Sequence, residues 1–545
     1  MRPLSPSAHQ DTFARDGLPP AELWPTLTTD LPELRYPERL NCAEELLDAT
    51  IARFGADRTA LVDQDGRRWS YGLLRERVNR LARVLVEELG LVPGNRVLLR
   101  GHNSPWLAAC WLAALKAGAV VVATMPLLRA AELRQITARA EVRFALCEEG
   151  LADELAAAGF PARGTLTYTT GEGAGSELLR LAETRSAAFD AVPTAADDVA
   201  LIAFTSGTSG EPKATLHFHR DVLAIADTFS RHVLRPRPDD LFIGSPPLAF
   251  TFGLGGLLVF PLRAGAASVL LERAAPEALF RAVEEHRATV LFTSPTAYRA
   301  ALESVGGREL SSLRRCVSAG EPLPAWVWRA FHEATGLRVI DGIGSTEMLH
   351  VFISAADDDI RVGATGRPVP GYRARVLGDD GAEVPDGTPG RLAVQGPTGC
   401  RYLADERQRR HVEDGWNLTG DIYVRDEDGY FWYQARADDM IITSGYNVAA
   451  PEVEQAVVQH PAVAECGVVG VPDSARGALV KAYVVLAPGH HPSDELAADI
   501  QRFVKQVIAP YKYPRLVEFT TSLPSSATGK LQRHFLRERP LATTA

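Results

Sequence analysis

The residues able to do chemistry lie in a few short stretches spread over the 545-residue chain. The first is Phe204-Thr205-Ser206-Gly207-Thr208-Ser209-Gly210-Glu211-Pro212-Lys213, which follows an apolar run at 199–203. The hydroxyls of Thr205, Ser206, Thr208 and Ser209 are uncharged donors, and Gly207 and Gly210 let backbone N–H groups turn toward an anion. Lys213 adds one full positive charge. This reads as a strand that opens into a phosphate-gripping loop. It is not the Walker pattern, because two residues separate Gly210 from Lys213 and Pro212 cannot sit inside a helix. Four more stretches follow. Asp341-Gly342-Ile343-Gly344-Ser345-Thr346-Glu347 is a glycine-broken turn ending in a hydroxyl and a carboxylate. Trp416-Asn417-Leu418-Thr419-Gly420-Asp421 ends in an aspartate suited to a ribose diol. Arg436-Ala437-Asp438-Asp439 and Ala527-Thr528-Gly529-Lys530-Leu531-Gln532-Arg533 complete the set.

The elements that must position these residues follow from hydrophobic periodicity. Val78, Leu81, Ala82, Leu85 and Leu89 form a helical stripe that Gly90 can end, and Arg96-Val97-Leu98-Leu99 then reads as a buried strand. Similar apolar runs recur at 120–122 and 289–292. Strands separated by helical segments predict an α/β fold, a large N-terminal domain with mostly parallel, helix-covered sheets. Residues 1 to about 40 read as an extended arm, and the Gly-, Ala- and acid-rich residues 171–197 as a surface loop. After Gly363 the pattern turns to antiparallel hairpins, a small β-rich subdomain, with strands expected at 372–377 and 390–394. From about Asp439 a small α+β unit is expected, with a helix at 451–459 and strands near 441–442 and 482–485. The division expected is 1–435, a hinge at 436–438, and a mobile domain over 439–545.

Composition narrows the function. A hydrophobic share of 46% and a charged share of 23% are those of an ordinary globular protein. A net charge of −10 argues against nucleic-acid binding, so any anionic ligand must be held by a local site. The six cysteines are scattered without a C-x-x-C pair, which predicts small buried hydrophobes and neither disulfides nor zinc. The most apolar stretch, 106–128, is broken by Lys116, Gly118 and Pro126 and reads as a buried helix and a strand, not a membrane span. With no signal-peptide core at the start, the expectation is a soluble, cytoplasmic protein. Of 58 basic residues only six are lysines, and two of these, Lys213 and Lys530, fall in the stretches above.

Taken together, the five stretches in this order resemble those of the adenylate-forming family of acyl-CoA synthetases, adenylation domains and luciferases, over nearly the whole chain after residue 40. The resemblance implies a two-step reaction. A carboxylate attacks the α-phosphate of ATP and expels pyrophosphate, and a thiol then displaces AMP. Because the first step brings anions together, positioning and positive electrostatics should dominate. The resemblance makes Lys530 the catalytic lysine that bridges carboxylate and α-phosphate oxygens, with Thr346 on the α-phosphate and Glu347 on Mg²⁺. It assigns Thr205, Ser206, Gly207, Thr208, Ser209, Gly210 and Lys213 to the pyrophosphate end of ATP. Asp421 should accept from both ribose hydroxyls, supported by Arg436. Gly320, Glu321, Pro322 and Ile343 should hold adenine, with Ile343 standing where the family usually has a stacking tyrosine, and Asp341 and Gly342 belong to the same nucleotide site. Asp438 occupies the hinge position, and Ser444, Gly445 and Tyr446 form the loop that exchanges with the Lys530 loop for the second step, in which CoA enters.

The acyl pocket is expected to be lined by Phe250, Thr251, Phe252, Ala319, Gly344, Leu349 and His350. No aspartate stands near Phe250 to hold an α-ammonium, which argues against an amino acid. The stretch from Gly342 to His350 and the run Ala123-Thr124-Met125-Pro126-Leu127-Leu128-Arg129 look like benzoate and 2-aminobenzoate CoA ligases. The predicted substrate is therefore a small aromatic acid, with His350 set to meet a ring substituent or the carboxylate. The alternatives are a stand-alone adenylation enzyme that loads a separate carrier protein, and a nucleotide-binding regulator without turnover. The chain is expected to act as a monomer or homodimer.

Overall fold

The structure, a computed structural model, describes residues 4–170, 176–205, 212–443, 446–473, 477–508, 512–525 and 531–538. The chain divides into two compact units. One takes in residues 1–374 and 394–418, the other 375–393 and 419–545.

The first unit is built on two large sheets. In one, Thr165–Tyr168, Phe144–Glu148, Arg96–Arg100, Val120–Thr124 and Val199–Thr205 lie side by side in parallel, and Lys213–Phe218 closes the edge antiparallel to Val199–Thr205. All five residues of Arg96–Arg100 are buried, as a parallel strand covered on both faces requires. In the other, Val339–Gly344, Arg315–Ala319, Val290–Thr293, Leu241–Gly244, Ala267–Val269 and Thr59–Val62 run parallel between antiparallel edge strands. The stripe from Val78 to Leu85 lies buried on the helix Tyr71–Glu87, whose first turn is capped by the Ser70 side chain accepting from the Leu73 N–H. The apolar stretch at 106–128 divides as predicted into the buried helix Pro105–Lys116 and the strand Val120–Thr124. Among the described residues no helix is long and apolar enough to cross a membrane.

Two expectations are corrected in this unit. Within 171–197 there is a helix, Glu177–Glu183, with Leu178 and Ala182 buried. Its end is tied to Tyr71–Glu87 by Arg80 Nη1 donating to the Glu183 carbonyl at 3.0 Å, and Asn79 Nδ2 donates to the Ala187 carbonyl at 2.7 Å. The leucines of this short turn outweigh the loop-like composition around it. The N-terminal arm, for its part, is anchored: Ala14, Trp24, Leu34 and Leu40 are buried. Near its start the Ala8 N–H donates to the buried Asp198 at 3.0 Å.

In the second unit the strands Val463–Asp473, Gly477–Leu486 and Leu516–Phe519 form a sheet, antiparallel then parallel. Alternation across the pleat sends Val468, Val480, Ala482 and Val484 toward the helices Ala450–Val457 and Asp494–Val507. Val469, Val471 and Tyr483 face Leu536 on the other side. Here too lie the hairpin Met440–Thr443 with Tyr446–Ala449, and the antiparallel pairing of Asp421 with Arg436.

Candidate functional site

In the first unit the site begins where two antiparallel strands end. Thr205 is the last residue of Val199–Thr205 and pairs with Lys213, the first of Lys213–Phe218. The intervening Ser206, Gly207, Thr208, Ser209 and Gly210 lie outside the described residues. Lys213–Phe218 is held on its other side by the segment around Tyr402. Thr215 bridges Tyr402, Leu216 N–H donates to the Arg401 carbonyl at 2.8 Å, and Leu403 N–H donates to the Ala214 carbonyl at 2.9 Å. Beneath them Arg401 and Asp221 form a fully buried ion pair at 2.8 Å, with the guanidinium 4.1 Å from the centre of the Phe218 ring. Removing one partner of such a pair strands the other charge in the core, a loss of about 3–5 kcal/mol.

Glu347 stands in the turn between Val339–Gly344 and Val351–Ser354. That turn is tight: Gly344 pairs with Val351, and a Cβ on Gly344 would come within 2.6 Å of the His350 carbonyl oxygen. The Tyr402 hydroxyl donates to Oε1 of Glu347 at 2.6 Å, and the Lys213 ammonium lies 5.3 Å from the centre of the Tyr402 ring. Burial alone would raise the Glu347 carboxyl. The nearby His411, the Tyr402 hydroxyl and the Lys213 charge outweigh it and hold the group below the usual carboxylate value. An ionised carboxylate of this kind suits a hard cation. Among the described residues no group of three or more His, Cys, Asp or Glu is placed to hold a metal, so Glu347 would share such an ion with ligand oxygens.

Parallel pairing brings Ala319 beside Gly342 and Ser318 beside Asp341. Gly320 follows with φ +95°, a left-handed turn at the end of its strand where glycine is favoured. The Thr296 hydroxyl donates to Glu321 at 2.7 Å, and the neighbouring Pro322 is exposed. Burial pushes the Asp341 carboxyl up to about 7, and its Oδ1 has no hydrogen-bond partner among the described residues. Ile343 pairs with Ile353, and Thr346 accepts at its carbonyl from the Leu349 N–H at 3.1 Å.

Of the residues expected to line the acyl pocket, Phe252 and His350 belong to one aromatic cluster. Phe250 precedes a helical segment running from Thr251 to Ala264, with a π-helical turn at Gly255–Val259. Such turns are rare and often mark functional sites. His350 is buried with its ring 5.7 Å from Phe252, 5.4 Å from Phe229 and 4.6 Å from Phe260. Its nitrogens have no hydrogen-bond partner among the described residues, and burial lowers its pKa to about 3, so the ring is neutral. A Cβ on Gly255 would lie 2.3 Å from His350 Cδ2, so only glycine lets helix and imidazole meet. Leu349, with φ +68°, is fully buried beside it.

In the second unit Asp421 is buried and accepts from Arg436 Nη1 at 3.1 Å. Thr419 joins the pair through its carbonyl, 3.2 Å from the same Nη1, and through its hydroxyl, which accepts from the Asp421 N–H at 3.2 Å. Asp438 lies in the turn Ala437–Asp439. Its neighbour Asp439 takes 2.7 Å bonds from Arg533 and Arg537, and Arg533 also grips Glu454. Tyr446 pairs with Thr443 through the backbone, while Ser444, Gly445 and Lys530 lie outside the described residues.

Residues that sequence reasoning missed are Tyr402, His411, Arg401, Asp221, Phe229, Phe260 and Phe292. The last packs 5.4 Å from Phe252. Asp221 and Phe260 lie on the segments that carry Lys213 and Phe252, while the others reach the site from distant stretches, where no local spacing announces them.

Known proteins resemble this chain over most of its length. Residues 47–402 match the AMP-binding enzyme family and residues 452–530 the AMP-binding enzyme C-terminal domain. The benzoate–CoA ligase of Thauera aromatica is 36% identical over 517 residues, 93% of this chain and 97% of that protein. The 4-hydroxybenzoate–CoA/benzoate–CoA ligase of Rhodopseudomonas palustris is 34% identical, over 92% and 94%. Among solved structures, an anthranilate CoA ligase in complex with anthranoyl-AMP superposes with a TM-score of 0.86 at 33% identity, covering 93% of this chain and 98% of that one. A benzoate CoA ligase from Burkholderia xenovorans gives 0.82 at 35% identity, covering 92% and 100%. With its motifs in order and both family regions matched, this chain belongs to the AMP-binding enzyme family.

Proposed function

We propose that this chain is an AMP-forming acid–CoA ligase that adenylates a small aromatic carboxylic acid, of the benzoate or 2-aminobenzoate type, and passes the acyl group to coenzyme A. The observation that carries the reading is full-length similarity to aryl-CoA ligases, at 36% identity over 93% of the chain for one of them. The aromatic lining around His350 supports it: flat apolar rings from Phe229, Phe252 and Phe260 suit an aryl group, and no carboxylate in that cluster would hold an ammonium.

The roles follow from charge. The acid's carboxylate attacks the α-phosphorus of ATP, the bond to the bridging oxygen breaks, and pyrophosphate leaves. Lys213, with the loop from Thr205 to Gly210, neutralises the departing phosphates, and Thr346 bonds the α-phosphate. Lys530 bridges the two reacting anions. Asp421, oriented by Arg436, accepts from the ribose hydroxyls, and Gly320, Glu321, Pro322, Asp341, Gly342 and Ile343 border the adenine. Mg²⁺ on Glu347 would supply positive charge to the phosphate oxygens. In the second step the CoA thiolate attacks the acyl carbon and AMP leaves with the electron pair. Asp438 is the hinge for the change between steps, which brings Ser444, Gly445 and Tyr446 to the thiol. CoA, not a separate carrier protein, is the acceptor.

The test is turnover of purified protein with ATP, Mg²⁺, CoA and a panel of acids, with products identified by mass. Aryl-CoA and AMP are expected. Formation of aryl-adenylate without thioester would shift the reading to a carrier-loading enzyme.

A further inference from the structure

Tyr402 stands where the two charges of the phosphate site would otherwise meet. Lys213 is a cation and Glu347 an ionised carboxylate, and both act on the same side of the reaction. Left alone, such groups collapse into an ion pair in which each blocks the other. Tyr402 engages both. Its hydroxyl donates to Oε1 of Glu347 at 2.6 Å, and its ring face sits 5.3 Å from the Lys213 ammonium. Among the described residues no ion pair joins Lys213 to Glu347.

The tyrosine is itself held from three sides. Its N–H donates to Gln408 Oε1 at 2.9 Å, and Gln408 is fixed in turn by Nε2 donating to the Leu23 carbonyl at 2.8 Å and the Cys400 carbonyl at 3.1 Å. Thr215 bridges it from the strand that begins at Lys213. The preceding Arg401 is locked in the core on Asp221. The tyrosine's backbone is therefore fixed, and its ring packs 5.5 Å from that of His411.

We infer that Tyr402 is a positioning residue for the nucleotide: it occupies one oxygen of Glu347 so that the other is presented to the cation that accompanies ATP, and its ring holds Lys213 in the place from which the ammonium meets the phosphates, a contact kept when ATP is bound. The inference rests on the ATP-dependent reading above. A hydrogen bond to a charged group is worth roughly tenfold in affinity, and a cation over an aromatic ring about fivefold.

The experiment measures ATP binding by calorimetry, with and without MgCl₂, for the wild type and for Tyr402→Phe, Tyr402→Leu, Glu347→Gln and the double variant Tyr402→Phe/Glu347→Gln. Tyr402→Phe keeps the ring, so the gain in ATP affinity that Mg²⁺ confers should fall about tenfold while Mg²⁺-free affinity and KM for the acid stay within about twofold. Tyr402→Leu should also weaken Mg²⁺-free binding, by about fivefold. In the double variant the two losses should not add, because both variants break one hydrogen bond. Tyr402→Phe with the wild-type Mg²⁺ gain, or full additivity, overturns the inference. A wild-type protein that binds ATP equally with and without Mg²⁺ would overturn the inference, and one that binds no ATP at all would overturn the nucleotide reading itself, a result visible before any variant is made.

Discussion

Arg436 reaches across an antiparallel strand pair to donate to Asp421 Oδ1 at 3.1 Å, and the same guanidinium nitrogen holds the Thr419 carbonyl at 3.2 Å. The aspartate is thereby fixed on a strand, its carboxylate oriented before any ligand arrives. Asp421→Asn should raise KM for ATP by about tenfold or more, the loss expected for hydrogen bonds to a charged group, and leave KM for the acid nearly unchanged. Pyrophosphate exchange at varied ATP checks this, and an unaltered ATP KM removes Asp421 from the nucleotide site.

The two half-reactions should separate genetically. Lys530→Ala should abolish pyrophosphate exchange yet spare thioester formation from supplied aryl-adenylate and CoA, because the lysine's charge is needed only while anions are brought together. Asp438→Pro should do the reverse, impairing thioester formation far more than exchange, since it restricts the backbone between the two poses. Equal loss of both steps in either variant would count against its assigned role.

His350 sets a test of substrate choice. Its ring is buried against Phe260, Phe252 and Phe229 with no hydrogen-bond partner among the described residues. Replacement by leucine, an apolar side chain suited to the aromatic surroundings, should change the ratio of kcat/KM for benzoate over 2-aminobenzoate by about tenfold. A constant ratio would place His350 behind the pocket instead of in it.

Acid should weaken the fold before its carboxylates titrate. Burial lowers the pKa of His350 and His219 to about 3 and that of His217 to about 4. The unfolded chain binds these protons near the ordinary value of about 6.5 and the folded chain does not, so stability is full above that value and declines as pH falls from about 6.5 toward 4. Each histidine contributes about 1 kcal/mol of loss by about pH 5.5. Urea unfolding at two pH values measures it, and His350→Leu should remove one share of the slope. A flat profile down to pH 5 would contradict the buried neutral rings.

How far the sequence carried these conclusions differs by element. The parallel strands at 96–100, 120–124 and 290–293 were legible because burial on both faces leaves continuous apolar runs, and the motifs were legible because hydroxyls, glycines and charges stood in compact stretches. The partners of Glu347 were not. Tyr402 is 55 residues from it and was one aromatic among many, and the Arg401–Asp221 pair spans 180 residues. The helix at 177–183 was hidden by glycine- and acid-rich flanks, and the π-helical turn at 255–259 by a glycine content that reads as loop. Contacts between distant stretches are made by tertiary packing, for which local periodicity carries no signal.

The most direct measurement is the mass of the thioester formed from CoA and each acid of a panel spanning aromatic, aliphatic and amino acids. Benzoyl-CoA or 2-aminobenzoyl-CoA, with one AMP and one pyrophosphate per thioester, is the predicted result. Thioesters from aliphatic acids alone, or none from any acid while ATP still binds, would contradict it.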